Sequence, residues 1–354
     1  MTTFIQLHLL TAYAPSNLNR DEFGCPKTAI MGNSGRLRIS SQSLKRAWRT
    51  SDIFYQALSD HIGTRSRRFA RDWVYTPMHN QGIPDKIAMA SAAKIASQFG
   101  KVKNEKKPKD PLANLEIEQL VHISNTEQQA IDKLVKQLIS DKREPTDAEV
   151  KLLRKENSSI DIALFGRMLA DNPAFNVEAA CQVSHALGVS TVTIEDDFFT
   201  AVDDLNTKKK DAGSGHLGDR RFASALFYTY ICISRDLLLD NLNGDEALVE
   251  KTLKALTEAA SKVAPSGMQN SFASRAYTSY LLIEKGSAQP RSLAVAYFKS
   301  IRSEDLVKDA IERIEQQLDK FDQVYGQCAD SRYKLNTETG EGTFTAALDF
   351  VAQK

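Results

Sequence analysis

The chain has 354 residues, 42% of them hydrophobic and 26% charged, with a formal net charge of +1. That balance is ordinary for a globular protein large enough to bury a core without staples. It excludes a uniformly basic nucleic-acid coat but leaves room for a local basic patch balanced by acids elsewhere.

The first residues, MTTFIQLHLLTAY, lack a cationic start and a long apolar run, so they read as a strand rather than a signal peptide. Residues 4–10, FIQLHLL, set Ile5, Leu7 and Leu9 against Gln6 and His8, which predicts a half-buried strand. A polar loop, APSNLNRDEFGCPK, leads to a second alternating run, GRLRIS, which continues into RISSQSLKRAWR at 38–49. Residues 51–157 read as a helical insertion, from helical spacing in DKIAMASAAKIASQF, LEIEQLVHI and EQQAIDKLVKQLI. SIDIALFGRM at 159–168 predicts a returning strand, NVEAACQVSHAL a helix and VSTVTI a strand. Residues 195–221 form a polar, glycine-containing excursion too long for a tight turn. Then come a strand (FASALFYTYICIS), a helix (DEALVEKTLKALTEAASKVA), a strand (YTSYLLIEK) and helices to about residue 325. Without regular βαβ alternation, this order favours an α+β fold with an antiparallel sheet. No stretch approaches the ~18 apolar residues of a membrane span, and a cytosolic protein without membrane contact is expected.

RISSQSLKRAWR carries the strongest chemical signal. With Ser40 or Ser41 as N-cap, a serine oxygen accepts an orphan N–H. At 100° per residue, Gln42, Lys45, Arg46 and Arg49 share one face of the helix, opposite Leu44, Ala47 and Trp48. A helix N-terminus, serine hydroxyls and a cationic face, entered from a strand bearing Arg36 and Arg38, all suit phosphate oxygens. An ordinary solvated helix face is the competing explanation, with about even weight. Through residue 71 the cations Arg36, Arg38, Lys45, Arg46, Arg49, Arg65, Arg67, Arg68 and Arg71 meet only Asp52 and Asp60, which favours the patch.

Other signals are weaker. GSGHLG at 213–218 matches G-x-G-x-x-G, but a lysine run precedes it and a strand follows, so no dinucleotide site and no cofactor is expected. The cysteines at 25, 181, 232 and 328 lack metal spacing. Asp196, Asp197, Asp203 and Asp204 read as a solvated acidic hairpin. Gly166 marks either a close backbone approach or a bulge, and the plain reading of Met168 is core packing. Six histidines sit in unrelated contexts and no nucleophile motif is present, so no catalytic residue is assigned.

SNLNRD, RISSQSLKRAWR, DIALFGRM, FTAVDDL, GSGHLG and FASALFYTY, in this order and spacing, resemble the CasC family, the backbone subunit of the type I-E CRISPR surveillance complex Cascade. The likeness runs to about residue 300. It implies a modified RRM (ferredoxin-like) antiparallel palm sheet with a helical finger insertion and an extended thumb hairpin. Palm residues would be 1–50, 158–194 and 223–354, the last with the C-terminal helices. Fingers would be 51–157 and the thumb 195–222. It further implies copies of the chain polymerising along a CRISPR RNA, beside CasA, CasB, CasD and CasE type subunits, with target DNA engaged through guide pairing. The protein would hold RNA without cutting it. The implied RNA contacts are Asn19, Arg20, Lys27, Arg38, Ser40, Gln42, Ser43, Lys45, Arg46 and Arg49, with Arg46 divided between phosphate contact and surface charge. Gly166, Arg167 and Met168 would lie along the guide, and Phe199, His216 and Leu217 would wedge its kinked nucleotides. Arg49 stands where the family often has lysine, and Phe198 where some relatives carry tryptophan. Lys133, Lys136, Lys142 and Arg143 would reach target DNA. The competing functions are an RRM-like CRISPR RNA-processing endonuclease and a self-assembling single-strand nucleic-acid-binding protein.

Overall fold

A computed structural model describes residues 2–106, 109–154, 159–201 and 216–353. The fold is α+β. Its strands are β1 (Phe4–Ser16), β2 (Thr28–Met31), β3 (Ser34–Ile39), β4 (Thr64–Ser66), β5 (Val121–Ile123), β6 (Cys181–Val183), β7 (Ala186–Gly188), β8 (Glu195–Ala201), β9 (His216–Ser234), β10 (Thr278–Gly286) and β11 (Ser331–Asn336). The chain divides into two compact units, one of residues 1–57, 183–233 and 253–354, the other of 58–182 and 234–252.

The first unit is built on a sheet in the order β11-β10-β1-β9-β7-β3-β2, antiparallel at β1–β10, β10–β11, β2–β3, β3–β7 and β7–β9. The helix Leu306–Tyr325 buries Ala310, Ile311, Ile314 and Leu318 with Leu10, Tyr280 and Leu282 in one core. β1 is therefore an inner strand, and its predicted solvent face is closed as well. Gln6 is 2% and His8 0% exposed.

Buried polar groups on an inner strand must be satisfied. Gln6 Oε1 accepts from Tyr230 Oη and from the Arg291 amide. His8 lies 2.9 Å from Tyr228 Oη and 3.1 Å from Glu284 Oε2. Glu284 also accepts from Arg291 and from Arg332, which in turn holds Asp322.

In the second unit, Ser124 and Glu127 form a capping box at the head of the helix Asn125–Asp141. Ile131, Leu134, Val135 and Leu138 of that helix pack in one core with Ala88, Ala92 and Ile95 of the helix Asp85–Ala96.

Four predicted elements differ. LEIEQLVHI is not helical but ends in β5, which pairs with β4. SIDIALFGRM is a short buried helix, Ile160–Phe165, ended by Gly166. A short apolar run has no period that separates these two states. NVEAACQVSHAL carries β6 and β7 instead of a helix, and residues 191–194 of VSTVTI lie outside any strand.

The His8–Glu284 cluster makes stability depend on pH. Burial would raise the Glu284 carboxyl, but hydrogen bonds and charge from His8 and Arg291 hold it at about 2. Its contribution is complete above the ordinary carboxyl value of 4.5 and is lost as pH falls from there toward about 2. Burial lowers His8 from its ordinary 6.5, so the unfolded chain takes that proton first and stability already declines below about 6.5. Urea midpoints should therefore drop between about pH 7 and 5. At neutral pH, Glu284→Gln should cost about 3–5 kcal/mol, because it removes the carboxylate that Arg291 pairs with and leaves Arg332 with Asp322 alone. A variant as stable as the parent at pH 7 refutes this.

Candidate nucleic-acid interface

The predicted cationic helix, α1 (Ser41–Arg49), forms in the first unit with Ser40 as N-cap; its Oγ accepts from the Ser43 amide at 3.3 Å. Leu44 and Trp48 are buried, while Gln42 and Arg46 are exposed and Lys45 and Arg49 partly so. The helix start is held from behind. Asn19 Oδ1 accepts from the Ser40 amide at 2.9 Å, and the Arg38 amide donates to the Lys27 carbonyl at 2.8 Å. Asn19 thus spends its carbonyl oxygen on positioning the cap. The amides of Ser41 and Gln42, which no helical carbonyl can reach, are left at the positive end of the helix.

Around this start, Arg38 of β3, Lys27 and Lys45 all act on His185, just before β7. His185 Nδ1 lies 3.4 Å from Arg38 Nη1. Partial burial, then Arg38, Lys27 and Lys45, push the imidazole below its ordinary value. Sequence reasoning missed His185; β3–β7 pairing brings it in, with Ile39 opposite Ala186.

On the flank of α1, Ser43, Arg46 and Thr50 share a cleft of about 420 Å3 with Arg20 and Ser266. Arg46 is therefore a cleft residue together with Arg20. Arg20 also borders a second cleft, of about 550 Å3, with Phe23, Arg220 and Arg221.

Several expected contacts are placed otherwise. Arg36, from the basic tract, is 0% exposed and bonds to the carbonyls of Gly188, Tyr297 and Phe298. In the second unit, Arg167 is 1% exposed at its side chain and pairs with Glu127 at 2.6 Å, so its guanidinium faces inward and not toward a ligand. Gly166 has φ +77°, and a Cβ there would meet the Val177 carbonyl at 3.0 Å. The backbone it admits is the chain's own, since Arg167 and Val177 exchange hydrogen bonds. Met168 is not a core residue: it is 82% exposed and borders a shallow cleft of about 130 Å3 with Leu120.

On the β8–β9 hairpin, Phe199 sits opposite Gly218 with the Arg220 guanidinium 4.2 Å from its ring. The more exposed ring is its neighbour Phe198, at 68%. His216 and Leu217 pair through their backbones with Ala201 and Thr200. Their predicted side-chain roles, like Val202–Leu205 and Gly213–Gly215, lie outside the described residues.

Lys133 and Lys136 are exposed on the helix Asn125–Asp141, and Lys142 caps it in a left-handed conformation. Arg143 is clamped by both Glu149 oxygens at 2.7 and 2.8 Å. Arg68 and Arg71 likewise meet Asp72, Glu116 and Asp110. Among the described residues, no group of three or more His, Cys, Asp or Glu could hold a metal ion. Nor is any helix among them long and apolar enough to cross a membrane.

The cap is testable alone. Ser40→Ala should lower stability by about 1 kcal/mol in urea titration, and Ser40→Asp should retain it; equal losses in both variants contradict the capping role.

A family model described as "CT1975-like protein" matches residues 5–351. A search of the curated proteins gave no match. Among solved structures, a chain of "CRISPR RNA-guided surveillance complex, pre-nicking" is similar at TM-score 0.85 and 26% identity, covering 99% of each chain. A chain of "CRISPR RNA-guided surveillance complex" is similar at TM-score 0.73 and 20% identity, again covering 99% of each, and shows the shared fold.

Proposed function

The chain belongs to the CT1975-like protein family, and on that premise we propose that it is the guide-holding backbone subunit of a CRISPR RNA-guided surveillance complex. The end-to-end likeness to a chain of such a complex carries this reading. The cationic start of α1 supports it physically. A scaffold that must accept any guide sequence binds through phosphates, because base edges carry the sequence information.

In this reading several copies line up along one CRISPR RNA in the cytoplasm, within a type I-E-like assembly of CasA, CasB, CasD and CasE type partners. Target DNA is met by base pairing to the guide. The chain holds RNA and does not cleave it. Repeat RNA incubated with the pure protein should stay intact; specific cleavage would favour the processing endonuclease.

The contact residues give a quantitative test. Each phosphate contact on a single strand contributes about 0.7 to the slope of log affinity against log salt. Replacing Lys45 and Arg49 by Ala should weaken RNA binding and flatten that slope by about 1.4, with circular dichroism unchanged. Parental affinity and slope in the folded double variant refute the phosphate role of α1.

A further inference from the structure

His185 is the one member of the cationic cluster that can change its charge near neutral pH. It is exposed, and β3–β7 pairing fixes it beside the start of α1. A guanidinium only donates, so the contact with Arg38 Nη1 requires an acceptor at His185 Nδ1 and leaves the single ring proton on Nε2. The charged groups acting on the ring come from three elements: Lys27 of the loop before β2, Arg38 of β3 and Lys45 of α1. All are cations and none is a carboxylate, so in the free protein the field resists a further positive charge, consistent with the lowered imidazole.

We propose that His185 is a phosphate ligand of this site, neutral in the free protein and protonated when a backbone phosphate settles among Lys27, Arg38 and Lys45. The inference rests on the guide-binding reading and adds to it a residue and a proton. A phosphodiester anion reverses the local field. The ring takes one proton from solvent at Nδ1, forming an N–H bond and breaking no other within the protein. Nε2–H donates to a phosphate oxygen. Nδ1 can then no longer accept from Arg38, and the released Nη1 donor turns to the same anion. Binding therefore consumes up to one proton per occupied site, and affinity rises as pH falls.

The test titrates a polyuridine oligoribonucleotide, long enough to span several copies, onto the purified full chain between about pH 5.5 and 8 at fixed salt. Parent, His185→Gln and His185→Lys are compared, each first shown to be folded. Proton uptake is read by calorimetry in two buffers of different protonation enthalpy. The parent should tighten by up to about tenfold per pH unit on acidification, with proton uptake. His185→Gln should lose most of that dependence and the uptake. His185→Lys should bind at pH 8 about as tightly as the parent binds near pH 6, with little pH dependence. Parent and His185→Gln sharing one pH slope and one proton uptake would overturn the proposal. A parent that binds no RNA at any pH would instead sink the guide-binding reading, and the ligand role of His185 with it.

Discussion

A buried guanidinium that meets no carboxylate among the described residues supports the site. Arg36 is completely buried and donates to Ser34 Oγ and to the carbonyls of Gly188, Tyr297 and Phe298. A buried charge is tolerated only when its donors are satisfied, and each lost acceptor costs kilocalories. The chain must therefore keep β3, β7 and the turn at 294–298 in one arrangement. Gly32 is part of this constraint. Its φ is +58°, and a Cβ there would fall on the Phe298 carbonyl that Arg36 binds. The direction in which α1 leaves β3 is set by these bonds, so the groups at its start are held in place by the fold itself.

The distribution of acids decides which cations are available. Counted along the chain, Arg36 to Arg71 form one basic tract. In space the tract splits between the two units. Arg68 and Arg71 acquire acids from within the second unit, Glu116 and Asp110 lying far along the sequence. Lys27, Arg38 and Lys45 all act on His185. A chain with net charge near zero can carry such a local cluster of cations because acids elsewhere balance the sum.

What was legible in the sequence follows the same division between local and distant causes. The cap, polarity and core face of α1 are set within one helix, and Ser40, Leu44 and Trp48 stand as the pattern requires. The α+β class and most long elements were also legible, because period and length agree there. Arg167 was misplaced because Glu127, the group that buries it, lies 40 residues away and no local pattern announces it. Gly166 was ambiguous for a related reason, since only the fold reveals that Val177 is what comes close. The 159–168 segment read as a strand because apolar runs of that length carry no period. His185 was invisible because a single histidine acquires meaning only from the cations that sheet pairing brings to it.

Two apolar side chains sharpen the functional argument. Met168 and Phe198 are 82% and 68% exposed, one in each unit. Burying a side chain of that size is worth about 1.5–3 kcal/mol, so leaving both in water forgoes stability that either unit could have used. Exposed apolar side chains are common on protein surfaces, and in the guide-holding reading proposed above these two are candidates to pack against bases. Stacking on a base returns about 1–3 kcal/mol and is indifferent to base identity. The phosphate contacts proposed for the start of α1 are the other sequence-indifferent term in that reading. In the guide-holding reading proposed above the two kinds of contact are complementary, because neither reads a base edge and both leave base edges free for pairing.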